Sequence, residues 1–159
     1  MRLLVSIRAP QADAPAVSQL RRAAGLEWVG CPPAETDVDI TIETDIDGRF
    51  VCTLAEADMS ALVTASNVPQ AGEDLLAALG NARETGYDEC VWAEQGGEFR
   101  WIFKRDGARL TVVVLWCAGA VIGWQHVFRA EDDFDAFAGR ARSEVTRCLS
   151  ETARRAVRT

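Results

Sequence analysis

The sequence predicts an α+β fold: a curved antiparallel sheet, laid down as a meander and packed against a long C-terminal helix, with additional helices before the meander. From Tyr87 to Arg129, the runs YDECVWAE, EFRWIFKR, ARLTVVVLWC and VIGWQHVFR are separated by turn signals at Gln95-Gly96-Gly97, Asp106-Gly107 and near Gly119. Connections that short force neighbouring strands to pair antiparallel. Beyond them, Phe134, Phe137, Ala138, Ala141, Val145, Cys148, Leu149 and Ala156 recur at helical spacing. Upstream, DVDITIETDID at 37–47 alternates at period two, the mark of a half-buried strand.

Taken in order, Leu3 to Ile7 reads as a short strand, and Asp13 can cap a helix to about Gly25 with Val17, Leu20 and Ala24 on its apolar side. Leu26 to Val29 reads as another short strand and Cys31-Pro32-Pro33 as loop. The 37–47 strand turns through Asp47-Gly48 into RFVCTL, a hairpin. Thr53 followed by Glu56 has capping-box spacing and predicts a helix to about Ala65, broken by the segment Asn67 to Gly72. A second helix starts at Glu73, packs Leu75, Leu76 and Leu79 inward, and stops at Gly86. After the meander, Asp132 or Asp133 caps the last helix, whose Arg154 and Arg155 complement the dipole at its end. Arg140, Arg142 and Arg147 fall mostly off its apolar stripe. Phe99, Trp101 and Phe103 share one sheet face that this helix can cover, with Trp101 placed in the core.

A length of 159 residues with 48% hydrophobic side chains suits one globular domain, residues 1–159, with a single substantial core. No apolar run approaches the ~20 residues of a membrane helix, and the start MRLLVSIRAP lacks the long apolar stretch of a signal peptide. The expected location is therefore the cytoplasm. Cys31, Cys52, Cys90, Cys117 and Cys148 are odd in number and widely spaced, which disfavours both a disulfide framework and a zinc site.

Charge is unevenly distributed. From Glu27 to Glu98 there are 16 acidic residues against Arg49 and Arg83, a local charge of −14, while residues 1–26 carry +3 and residues 99–159 carry +4. Within the acidic stretch, Asp37, Asp39, Glu43, Asp45 and Asp47 occupy odd positions of the alternating segment and are expected on one strand face. Asp88, Glu89 and Glu94 extend the candidate surface. Such a surface repels nucleic acid and anionic membranes and steers basic proteins toward itself.

Catalytic signals are sparse. His126 is the single histidine, alternating with Trp124 and Phe128, and no nucleophile motif accompanies it. The run Glu43-x-Asp45-x-Asp47-Gly48 begins like a calcium loop, but Leu54 stands where the closing glutamate belongs, so a hairpin turn accounts for it better. In Phe99 to Arg105 basic and aromatic residues alternate onto opposite faces, which weakens a nucleic-acid platform. No cofactor or metal is expected.

From GRFVCTL through the helix at Glu73 to GGEFRWIFKRDGARLTVVVLW and WQHVFRAEDDFDAFAGRARSEV, the order of elements over about residues 37–150 resembles WapI-type bacterial immunity proteins. These neutralise polymorphic toxins. The acidic profile is also similar to type III secretion chaperones, which hold an unfolded stretch of an effector. The resemblance implies a stoichiometric binding protein for a basic toxin or secreted effector, without covalent chemistry. It leaves a homodimer open, and a small enzyme using His126 and nearby acids is the alternative of another class.

Overall fold

The computed structural model describes residues 6–7 by their backbone, and residues 37–119 and 123–158 in full. The expected helix from Asp13 to Gly25, the strand Leu26 to Val29 and the loop at Cys31-Pro32-Pro33 lie outside those residues.

The fold is α+β with two antiparallel sheets and a C-terminal helix. Strands β2 (Asp39–Thr44), β3 (Phe50–Glu56) and β4 (Met59–Ala65) form a three-stranded sheet in sequence order. Helix α1 (Val68–Thr85) leads into β5 (Tyr87–Glu94), β6 (Gly97–Asp106), β7 (Arg109–Cys117) and β8 (Trp124–Asp133). The order and pairing of this meander are the expected ones, although β8 runs on to Asp133 and the expected start of its strand at Val121 and Ile122 lies outside the described residues. The short strand β1 (Ser6–Ile7) joins it beside β8, giving the order β1-β8-β7-β6-β5. Helix α2 (Phe134–Val157) follows, capped by the Asp133 carboxylate, which accepts from the Ala136 N–H at 2.9 Å.

Three expectations are corrected. The first is the single curved sheet, which is replaced by two. The second is the helix from Thr53 to Ala65, which is instead the β3–β4 hairpin, turning at Ala57 with φ 50°. Period-two burial decides it: Phe50, Cys52 and Leu54 on β3 and Ala61, Val63 and Ala65 on β4 all point inward. Among the described residues one helix, not several, therefore precedes the meander.

The third correction is the start of α1, which begins at Val68 rather than Glu73. Pro69 sits in the first turn, where its missing N–H has no helical partner to lose. Gly72 is inside the helix because of what lies against it: a Cβ there would stand 2.8 Å from Val145 Cγ1 and 3.2 Å from Phe50 Cε2. The two helices and β3 meet at that glycine. The C-terminal end falls at Gly86 as expected, in the left-handed region with φ 84°.

Both sheets and both helices share one core. A run of aromatic rings crosses it, Phe50–Trp92 at 5.9 Å, Trp92–Trp101 at 4.9 Å, Trp101–Phe103 at 6.1 Å and Phe103–Phe137 at 6.4 Å between centroids. The Trp92 indole also donates to the Ala71 carbonyl, tying β5 to α1. Trp101 is fully buried, as the sequence places it, and among the described residues its indole N–H has no hydrogen-bond partner. On the opposite face of the larger sheet Ile102, Val113, Leu115 and Trp124 form a second buried apolar cluster. A bulge between Val114 and Leu115 shifts the β7–β8 register so that His126 faces Leu115 and joins that second face.

Candidate functional site

The three-stranded sheet turns one face into the core, and among the described residues no helix lies over the other. Register places that outer face as three rows: Asp39, Ala55 and Ser60; Thr41, Thr53 and Leu62; Glu43, Val51 and Thr64. Asp37, just before β2, extends the acidic edge. Asp37, Asp39 and Glu43 are exposed, and none has an ion-pair partner among the described residues. Thr41 separates Asp39 from Glu43, which puts them ~13 Å apart along the strand. Their mutual repulsion is about 0.3 kcal/mol before salt screening, so this face carries its charge at little expense in stability.

The other expected members of the ladder are placed differently. β2 ends at Thr44, and Asp45 and Asp47 belong to the turn. The Asp45 carboxylate accepts from the N–H groups of Asp47 and Arg49, each at 2.9 Å, and from Arg49 Nε at 3.0 Å. Those bonds, the Arg49 amide first, hold its pKa below the ordinary carboxylate value even though burial opposes the shift. The turn reading of this segment is therefore the one the bonding supports, and among the described residues no cluster of metal-ligating side chains occurs. Asp47 is exposed at the turn.

Asp88, Glu89 and Glu94 lie on the other sheet and do not form one surface. Asp88 accepts from Asn81 Nδ2 of α1 at 2.8 Å. Glu89 faces the opposite side, where it pairs with Arg100 at 3.3 Å and accepts from the Tyr87 hydroxyl. Glu94 clamps the two sheets together, taking the hydroxyls of Thr64 at 2.6 Å and Ser66 at 2.7 Å and the Gln95 N–H. Burial raises its pKa, but those bonds and nearby Arg49 outweigh burial, and the net shift is downward.

His126 is buried beside Leu115 and Trp124. Burial, followed by the neighbouring Arg129 charge, lowers its pKa to about 4, so at neutral pH it is an uncharged imidazole and a weak base.

The opposite edge relationship was not visible in the sequence. Along β2, the backbone groups of Val38 and Ile42 that point away from β3 are taken by side chains from β8 and α2. Asp132 accepts from the Val38 N–H at 3.0 Å, Arg140 donates to the Val38 carbonyl at 3.1 Å, Glu144 accepts from the Ile42 N–H at 3.0 Å, and Arg147 donates to the Ile42 carbonyl at 2.7 Å. Asp132 and Arg140 are themselves ion-paired, as are Glu144 and Arg147. These side chains cap one edge of the small sheet at Val38 and Ile42.

No helix among the described residues is long and apolar enough to cross a membrane. No protein-family model matches the chain, and neither a curated protein nor a solved structure matches it.

Proposed function

We propose that this chain is a stoichiometric protein-binding module that takes a basic protein on the outer face of the β2-β3-β4 sheet, in the manner of an immunity protein neutralising a toxin. One contrast carries the reading. Asp45, Glu89, Glu94, Glu98, Glu131, Asp132, Asp135, Glu144 and Glu151 all pair with arginines, and other acids such as Asp58, Glu73 and Glu84 are scattered over turns and helix. Asp37, Asp39 and Glu43, in contrast, are exposed without an ion pair among the described residues and lie together on or just before one strand, on a face otherwise made of small or uncharged side chains. A flat acidic face of this kind accelerates encounter with a basic cleft and then covers it, with no bond made or broken. Of the acids expected at the site, Asp37, Asp39 and Glu43 serve this role. Asp45 and Glu94 serve the fold.

An enzymatic reading through His126 finds little support in a buried imidazole with a pKa of about 4. The test is the association kinetics of this protein with the product of the gene immediately upstream, at low and high salt. Asp37→Lys, Asp39→Lys and Glu43→Lys together are expected to slow association by about tenfold or more and flatten its salt dependence, while His126→Gln leaves both unchanged. Absence of a complex, or a triple reversal that leaves rate and salt slope intact, overturns the reading.

A further inference from the structure

The two edges of the small sheet are treated in opposite ways. On β2, four side chains from β8 and α2 occupy the outward backbone groups of Val38 and Ile42. Just past the end of β4, the Ser66 N–H points away from β3 and donates to the Ala93 carbonyl at 3.1 Å, where β5 closes the far end. Backbone direction alternates along a strand, so Thr64, Leu62 and Ser60 also turn their N–H and C=O groups away from β3. Toward the Met59 end no described strand pairs with that edge. Its side chains are open as well: Ser60 is exposed, and Met59 and Leu62 are 50% and 52% exposed.

Exposed strand edges are ordinarily blunted by lysine, proline, a bulge or a covering element. MSALVTA has no charge and no proline, and β3 and β4 pair in continuous register without a bulge. We propose that the Ser60–Leu62 edge of β4 receives an extended basic segment of the partner, which pairs backbone to backbone as a fourth strand of this sheet. The proposal rests on the acidic-face reading above and specifies how the partner is held. Main-chain bonds give the affinity, and Leu62 and Met59 offer apolar contact to alternate side chains of the incoming strand.

Charge selects the occupant. Asp58, exposed in the turn, leads onto this edge, and Asp39 shares a row with Ser60. A strand added beyond β4 lies about 14 Å from β2, and lysine or arginine side chains on its outer side extend back over Ser60 and Leu62 toward Asp39. A second copy of this chain is the poorer occupant, because it brings another Asp58 and another unpaired acidic face in a protein of net charge −7.

The probe is a short peptide of alternating lysine and valine, beside the same peptide N-methylated at alternate residues so that one edge loses its donors. The peptide is expected to bind the full chain and to protect the Ser60 and Leu62 amides from hydrogen exchange. N-methylation is expected to weaken it by about tenfold or more, and Leu62→Pro, which removes an outward N–H, should do the same. Because Leu62→Pro can unfold the hairpin, the N-methylated peptide on the unaltered protein is the deciding arm. If both peptides bind equally and the amides stay unprotected while Asp39→Asn with Glu43→Gln abolishes binding, the edge proposal fails and the acidic-face reading stands. If neither peptide binds, both fail. If sedimentation instead shows a concentration-dependent dimer that Leu62→Pro dissolves, the edge belongs to a second copy and the proposal is overturned.

Discussion

Arg147 donates a hydrogen bond to the carbonyl of Ile42 at 2.7 Å across a sequence separation of 105 residues. With Glu144 accepting from the Ile42 N–H, two side chains one helical turn apart take the place of a neighbouring strand. Burial opposes ionisation of Glu144, yet the Arg147 bond, together with the Ile42 amide, keeps its pKa below the ordinary value.

Arg147→Ala is expected to lower stability by about 1–3 kcal/mol, because it leaves the Ile42 carbonyl and the Glu144 carboxylate with poorer partners. Chemical denaturation reads the loss. An unchanged midpoint would mean that water replaces the guanidinium without penalty.

Trp101→Ala is expected to cost about 3–5 kcal/mol, since the ring is buried among Trp92 and Phe103. Trp101→Phe should cost less than Trp101→Ala, because it keeps most of the buried ring, leaves a smaller cavity and removes only an unpartnered N–H. Equal losses for the two would show that the N–H has a partner after all.

Gly72→Ala is expected to destabilise by about 1–3 kcal/mol through overpacking, since the added methyl meets Val145 at 2.8 Å. Adding Val145→Ala should recover part of that loss. A double-mutant cycle with no coupling would place the strain elsewhere.

His126 has an ordinary pKa of 6.5 and a folded value of about 4, so the unfolded chain binds a proton that the native state refuses as pH falls between those values. Its contribution is neutral above pH 6.5 and increasingly destabilising below it, reaching about 2–4 kcal/mol near pH 4. The difference in stability between wild type and His126→Gln should therefore shift in favour of the variant across that window. Parallel pH profiles would refute the assignment.

Elements specified by local chemistry could be read from the sequence. Gly86 ends α1 and Asp133 caps α2 because each acts on backbone groups within a few residues. The meander followed from its turns. The Thr53–Glu56 pair misled because capping-box spacing fits in four residues of any hairpin. The inward alternation of Cys52, Leu54, Ala61 and Val63 was the stronger signal. Gly72 read as a breaker because its reason, the approach of Val145 and Phe50, lies in tertiary packing.

At the candidate site, alternation identified Asp37, Asp39 and Glu43 as exposed. It could not show where the strand stops, so Asp45 was grouped with them although its carboxylate organises the turn. Helical spacing puts Arg140 and Arg147 off the apolar stripe but cannot show what they bond, because their partners Val38 and Ile42 are distant in sequence.

The capped edge of β2 also sets an order of events during synthesis. β2, β3 and β4 pair locally and can form early, yet the groups that close Val38 and Ile42 arrive with Asp132 to Arg147, about 100 residues later. At ~5–20 residues per second that interval is roughly 5–20 s. Throughout it the nascent hairpin presents β2 as a bare template for other chains. A ribosome that stalls within the meander thus releases a strand-pairing hazard, and the arrival of the last helix ends it.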